Sequence, residues 1–145
     1  MNQLTRNLIR RALEPSVTNG APGEMQLRFS LLRLLPDNMR GYLHYLENVL
    51  TMLPGVISAP LNASRTGADI RYDPSRTAPG KILDWYRKFL EEGMDCLSSP
   101  AFQHMREEEI VSALTERMQR HLPSPSALKS LLILEVTRRR GIIAV

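Results

Sequence analysis

The side chains that could bind a soft metal ion are few in this chain and lie far apart. Cys96 is the only cysteine, so neither an internal disulfide nor a paired-thiolate metal site can form. The histidines His44, His104 and His121 lack the i, i+4 spacing of a zinc-binding helix. We therefore interpret Cys96 as a small buried hydrophobe and the histidines as surface residues, and we predict no metal site and no cofactor.

No arrangement typical of an enzyme is present in the sequence. We find no Ser-His-Asp grouping, no glycine-rich phosphate loop and no Cys-His pairing. Asp37 and Asp73 are typical of a helix entry and a turn. Glu107–Glu109 is typical of the first turn of a helix, where carboxylates interact favourably with the helix dipole. The sequence therefore predicts a protein that is not an enzyme.

Basic residues are in excess, and the excess lies at the two ends of the chain. The chain has 19 lysines and arginines against 15 acids, a formal charge of +4. Arginine suits bidentate contacts to phosphate or carboxylate, and basic residues beside apolar ones suit an anionic membrane surface or a protein partner. Nucleic acid is not expected, because the basic residues are not interleaved with aromatics. The candidate contact residues are Arg6, Arg10, Arg11, Arg138, Arg139 and Arg140.

Composition indicates the class of protein. Hydrophobic residues make up 43% of the chain and charged residues 23%, which is ordinary for a soluble globular protein. No apolar run is long enough for a transmembrane helix, and the N-terminus is too charged for a secretory signal. We expect a cytoplasmic protein, with a peripheral position at the inner face of a membrane as an open alternative.

Proline and glycine divide the chain into three predicted parts. Residues 1–24 combine a basic amphipathic helix with a Pro/Gly linker, residues 25–97 form a compact domain, and residues 98–145 form a helical C-terminal extension. Within the extension, Leu131–Leu134 would be apolar on every side of a helix. We therefore expect residues 126–145 to be buried against the chain's own domain or a second copy.

The compact part alternates strand and helix patterns. Leu43, Leu46 and Leu50 recur at helical spacing, while 68–72 alternates apolar and polar residues as a half-buried strand does. The order β-α-β-β-α-β predicts an α+β, ferredoxin-like domain with helical extensions at both ends, and a four-stranded antiparallel sheet with both helices on one face. The predicted strands are 25–35, 56–63, 68–72 and 94–97, and the predicted helices are 38–53 and 79–92.

Three short motifs in this part have a characteristic spacing. Leu53–Val56 reads Leu-Pro-Gly-Val, Asn62 follows in the next strand, and Tyr72–Pro74 reads Tyr-Asp-Pro. Glu47 stands six residues before the first motif. With these residues the segment 25–97 resembles a heavy-metal-associated (HMA) domain, the family of copper chaperones and of N-terminal domains of metal-pumping P-type ATPases. The resemblance implies the ferredoxin-like fold.

The metal-binding loop departs from the family pattern. The two cysteines of the family's Cys-x-x-Cys motif fall on Met39 and Tyr42. A thioether and a phenol do not replace thiolates for Cu(I) or Zn(II), so we predict no tight metal site at 38–42. Arg40 lies in the same loop near a helix start, where it is a candidate contact to a carboxylate or phosphate. We retain Met39, Arg40 and Tyr42 as candidate binding residues of this degenerate loop.

The resemblance implies a function without catalysis. We expect an HMA-like binding or adaptor protein, accessory to transition-metal (iron or copper) transport or homeostasis. Its partner would be a metal-transporting P-type ATPase or a second copy of the chain. Two alternatives stay open: an atypical metallochaperone using Met39, His44 or Cys96, and a peripheral membrane protein held by its terminal basic segments.

Overall fold

The computed structural model describes residues 2–35, 41–102 and 104–122, which contain four α-helices and one four-stranded sheet. The α+β class predicted from the sequence is confirmed. The helices are α1 Gln3–Ala12, α2 Leu46–Leu50, α3 Pro79–Ser98 and α4 Glu107–Gln119. The strands are β1 Ser16–Asn19, β2 Glu24–Arg28, β3 Val56–Ser58 and β4 Gly67–Tyr72. Short 3₁₀ segments span Leu32–Leu34, Gly41–Tyr45 and Pro100–Phe102.

The sheet is antiparallel throughout, in the order β1-β2-β4-β3. Met25 of β2 lies opposite Ile70 of β4, and Val56 of β3 lies opposite Tyr72 of β4. The prediction that 56–63 and 68–72 pair as a hairpin is confirmed. The prediction of four antiparallel strands is also confirmed, but the strand at one edge is not the predicted one.

The predicted strand at 94–97 is wrong, because α3 continues through it to Ser98. Leu90, Met94 and Leu97 keep the four- and three-residue spacing of one helix face, and Met94 is fully buried there. Gly93, the residue directly after the predicted helix 79–92, lies within α3. The apolar spacing therefore outweighs the weak helix propensity of one glycine.

Residues 15–24, interpreted as a linker, form most of the first hairpin instead. Ser16–Asn19 pairs antiparallel with β2, and the Gly20 N–H donates to the Glu24 carbonyl across the turn. All four residues of β1 are exposed, so the strand has no alternating apolar pattern. β2 itself ends at Arg28, earlier than the predicted strand 25–35.

The core lies on one face of the sheet. In β2, Met25 and Leu27 are buried while Glu24 and Gln26 are exposed, as the two-residue period of a strand requires. The helices cover the buried face, and the Trp85 indole donates to the Val49 carbonyl at 2.7 Å, which joins α3 to α2. Burying each large apolar side chain of this core stabilises the fold by roughly 1.5–3 kcal/mol.

The helix ends differ from the predicted ones for local reasons. Of the predicted helix 38–53, the described residues give a 3₁₀ segment followed by α2, and 36–40 lie outside the described residues. Gly55 ends this segment with φ +98°. The predicted C-terminal segment 126–145 also lies outside the described residues. Across the described ranges, no helix combines the length and apolar character that a bilayer crossing requires.

Candidate binding cleft

Only part of the degenerate loop at 38–42 belongs to the described residues. Met39 and Arg40 lie outside the described residues, and the backbone of Tyr42 belongs to the 3₁₀ segment Gly41–Tyr45 that leads into α2.

Two of the N-terminal candidate arginines form ion pairs with α3. Arg6 reaches Asp95 at 2.9 Å and Glu91 at 3.5 Å, and Arg10 contacts both oxygens of Glu91 at 2.9 and 3.1 Å. The hydrogen bond from Arg10 lowers the pKa of the Glu91 carboxyl, and the charges of both arginines add to this effect. Arg11 is exposed on α1. The three C-terminal candidates Arg138, Arg139 and Arg140 lie outside the described residues.

The soft-metal candidates do not come together. Cys96 is fully buried in the core, and burial raises the pKa of its thiol. His44 is exposed and its ring lies 3.9 Å from that of Tyr45, while His121 contacts Glu92 at 3.0 Å. Over 2–35, 41–102 and 104–122, no group of three or more His, Cys, Asp or Glu side chains could hold a metal ion.

The motif residues of the HMA resemblance meet in the structure. The Asp73 N–H donates to the Gly55 carbonyl at 2.7 Å, directly beside the Val56–Tyr72 pair. The Glu47 carboxylate accepts from the Ala59 N–H at 3.3 Å, which ties α2 to the residue after β3. These residues therefore hold the α2–β3–β4 unit together.

Asn62 has a comparable structural role in the β3–β4 connection. Its side-chain oxygen accepts from the Thr66 N–H at 2.8 Å, and its own N–H donates to the Gly67 carbonyl at 2.9 Å. The Asn62 carbonyl also accepts from the Arg65 N–H. An asparagine suits this turn because its side chain can replace a backbone hydrogen-bond partner.

An apolar cleft lies among the helices, and sequence reasoning missed it. Residues from α1, α2, α3 and α4, together with Leu35 and the 3₁₀ segment before α2, enclose a volume of about 80 Å³. We call this space the helical cleft. Its partly exposed apolar residues include Leu13, Leu43, Phe89, Leu97 and Val111. The excess of apolar residues on α4 was the available signal, since Val111 adds to the buried Ile110 and Leu114.

The polar atoms at the cleft are already engaged. The Thr115 hydroxyl donates to the Val111 carbonyl at 2.7 Å, within α4. Tyr45 lines the cleft close to the first turn of α4. Burial raises the pKa of the Tyr45 hydroxyl, and the charges of Glu107 and Glu108 and a hydrogen bond with Glu107 raise it further. The cleft is thus apolar inside and acidic at the end where α4 begins.

Comparison with known proteins identifies no relative of this chain. No family model matches it, and neither a curated protein nor a solved structure does. The HMA resemblance therefore rests on Leu53–Val56, Asn62, Tyr72–Pro74 and Glu47 alone, and function has to be argued from the cleft and the charges around it.

Proposed function

We propose that this chain is a non-catalytic binding or adaptor protein, accessory to transition-metal (iron or copper) transport or homeostasis, that holds an apolar segment of a protein partner in the helical cleft. The observation that carries the proposal is the cleft itself, an apolar space bounded by four helices with an acidic end. A well-formed apolar pocket with a few polar groups is the default binding site of a protein.

The size of the cleft favours side-chain anchors over a small-molecule cofactor. Ligand pockets enclose about 300–1,000 Å³, and an apolar cavity of about 150 Å³ binds benzene. The cleft encloses about 80 Å³, enough for one or two aliphatic groups. An amphipathic helix laid into a groove presents such groups at i and i+4. The acidic end favours a partner segment in which basic residues follow the apolar anchors.

The setting in metal homeostasis is proposed from the motifs. β4 lies between β2 and β3, so β2, α2 and β3 form a split β-α-β unit, which supports a ferredoxin-like relationship. β1 occupies the edge beside β2, and the predicted strand 94–97 does not form. The proposed partner is a metal-transporting P-type ATPase or a second copy of the chain.

The two alternatives draw less support from the described residues. A metallochaperone site would need an accessible thiol, and Cys96 is fully buried. Membrane contact by α1 would draw on its arginines, and two of the three, Arg6 and Arg10, are paired with acids of α3, which leaves Arg11 exposed.

The cleft is tested with a probe peptide. The isotope-labelled full chain is titrated with a helical peptide carrying leucines at i and i+4 followed by three arginines, and amide shifts are recorded. We expect shifts at Leu13, Phe89 and Val111, and their loss in Val111→Glu, because a buried unpaired carboxylate opposes apolar contact. Ser112→Glu is the control, since it adds the same charge at an exposed neighbouring site. Equal binding by the two variants would contradict the proposal.

The partner class is tested in membranes that contain a metal-transporting P-type ATPase. The wild-type chain and the Ser112→Glu variant should co-purify with the ATPase, whereas Val111→Glu should not. Retention of all three chains would place the contact elsewhere on the molecule.

A further inference from the structure

We propose that the helical cleft is a docking site for the C-terminal segment of the same chain, with one or two side chains of Leu131–Leu134 in the apolar interior and Arg138–Arg140 against Glu107 and Glu108 of the first turn of α4. The inference rests on the proposed function, because it concerns the same cleft. The proposed arrangement has the segment running antiparallel to α4.

Apolar complementarity is the first support. Leu131–Leu134 would be apolar on every side of a helix, so the segment needs an apolar partner surface. The helical cleft offers one, since Leu13, Phe89 and Val111 stay partly exposed around it. The cleft therefore offers the apolar surface that the segment needs, and the segment would cover apolar side chains that the cleft leaves partly exposed.

The length of the chain beyond α4 is the second support. The described residues end at Leu122, which is itself buried, and α4 forms one wall of the cleft. Residues 123–130 can span up to about 26–29 Å when extended. From Gln119 back to Val111, α4 measures only about 12 Å. Pro123 and Pro125 disfavour continuation of α4 and so favour a reversal of the chain.

Charge and spacing are the third support. Along α4, the six residues from Leu114 back to Glu108 cover about 9 Å, and six residues of a helical segment, from Ile133 to Arg139, cover the same distance. With Leu131–Leu134 beside Leu114, this spacing brings the arginines beside Glu107 and Glu108, whereas Glu109 is paired with Arg106 at 3.2 Å. The effect of Glu107 and Glu108 on the pKa of Tyr45 indicates that this negative field reaches the cleft.

The test uses the full chain with a nitroxide spin label on Thr137→Cys. The buried Cys96 should not react, and the wild-type chain serves as the labelling control. We expect paramagnetic broadening of the Ile110, Val111 and Leu114 methyl signals. A mixture of spin-labelled and isotope-labelled chains should show no broadening. Broadening in this mixture would assign the cleft to a second copy and overturn the proposal.

A charge swap tests the register. Arg138→Glu with Arg139→Glu should abolish the broadening, and adding Glu107→Arg with Glu108→Arg should restore it, because opposite charges then face each other again. Failure of the rescue would overturn the proposed register. Cleft methyls that stay sharp in solution, while the segment binds anionic vesicles, would overturn the proposal in favour of a membrane contact.

A final titration separates this inference from the proposed function. The probe peptide should bind about tenfold more tightly to the Leu132→Asp, Leu134→Asp chain than to the wild-type chain, which corresponds to a cleft that is open about a tenth of the time. Broadening in the wild type with no peptide binding in either chain contradicts the proposed function and leaves the docking intact. Equal peptide binding without broadening contradicts the docking alone.

Discussion

At the scale of single residues, most of the chemistry-bearing side chains serve the fold. Arg6 and Arg10 join α1 to α3 through ion pairs. The Glu47 carboxylate accepts a hydrogen bond from the backbone after β3, and the Asn62 side chain stabilises a turn. An arginine or carboxylate that is predicted to meet a partner can meet another element of its own chain, and sequence spacing does not distinguish the two. The acids that pair with Arg6 and Arg10 lie more than eighty residues further along the chain.

The first prediction concerns the degenerate loop. Reduced full chain should not retain Cu(I) against a competing chelator, because Met39 and Tyr42 offer no thiolate. The double variant Met39→Cys, Tyr42→Cys should retain one Cu(I) per chain, because it restores Cys-x-x-Cys at the position that the HMA resemblance gives. Tyr42→Cys alone is the control and should bind far more weakly. Tight wild-type binding that is lost in Met39→Ala would show that the thioether had been dismissed wrongly.

The second prediction concerns the pH dependence of the Glu91 ion pairs. The pKa of Glu91 is lowered in the folded chain, so its carboxylate stabilises the fold above the unfolded value, about 4.3, and this contribution disappears as the pH falls through the folded pKa. Denaturant unfolding should therefore show Glu91→Gln less stable than wild type at pH 7, with the difference decreasing as the pH falls below about 4.3 and disappearing below the folded pKa. Asp84→Asn, an exposed acid on the same helix, should not reproduce this loss. A difference that persists at low pH would assign the effect to packing.

At the scale of elements, the sequence allowed some predictions and not others. The β3–β4 hairpin was predictable because Val56 and Tyr72 belong to local motifs that face each other directly. β1 was not predictable, because a fully exposed edge strand has no apolar alternation and owes its form to pairing with β2. The cleft was not predictable either, since it depends on how α1 and α4 meet α3.

The third prediction compares two glycines in different elements. Gly93→Ala should stabilise the chain by about 0.5–1 kcal/mol, because alanine is the better helix former. The added Cβ would approach Leu114 only to 3.9 Å. Gly55→Ala should destabilise it by roughly 1–3 kcal/mol, because φ is +98° and the new Cβ would lie 2.9 Å from the Thr77 Cγ2. The midpoints of urea unfolding measure the change in stability of each variant. A destabilising Gly93→Ala would show that the space beside Leu114 cannot accept a methyl group.

At the scale of the whole molecule, the two sides of the sheet differ in character. One face is covered by helices and holds the core, while the other carries polar residues such as Gln26 and the Arg28–Asp69 ion pair at 3.1 Å. The helical cleft is on the covered side, where α1, α3 and α4 meet. Binding through the cleft therefore leaves the polar face of the sheet in water.

The fourth prediction concerns the dimensions of the full chain in solution. With the C-terminal segment docked, a chain of 145 residues should have a radius of gyration near 15 Å, as expected for a compact domain. Releasing the segment with Leu132→Asp and Leu134→Asp should increase this radius by about 2 Å, since 23 residues then extend from the folded part. Small-angle scattering measures both chains.

Small-angle scattering at several protein concentrations distinguishes whether Leu131–Leu134 is covered by its own chain or by a second copy. A radius that is constant on dilution, with a monomer mass, is expected if each chain fills its own cleft. A mass that doubles with concentration in the wild type and not in the variant would mean that Leu131–Leu134 joins two copies, and symmetric dimers are the commonest oligomers. High salt should enlarge the wild-type chain toward the variant, because exposed Arg–Glu contacts are screened within about 10 Å at 0.1 M ionic strength. A wild-type radius unaffected by salt would leave Leu131–Leu134 as the sole anchor and remove Arg138–Arg140 from the contact.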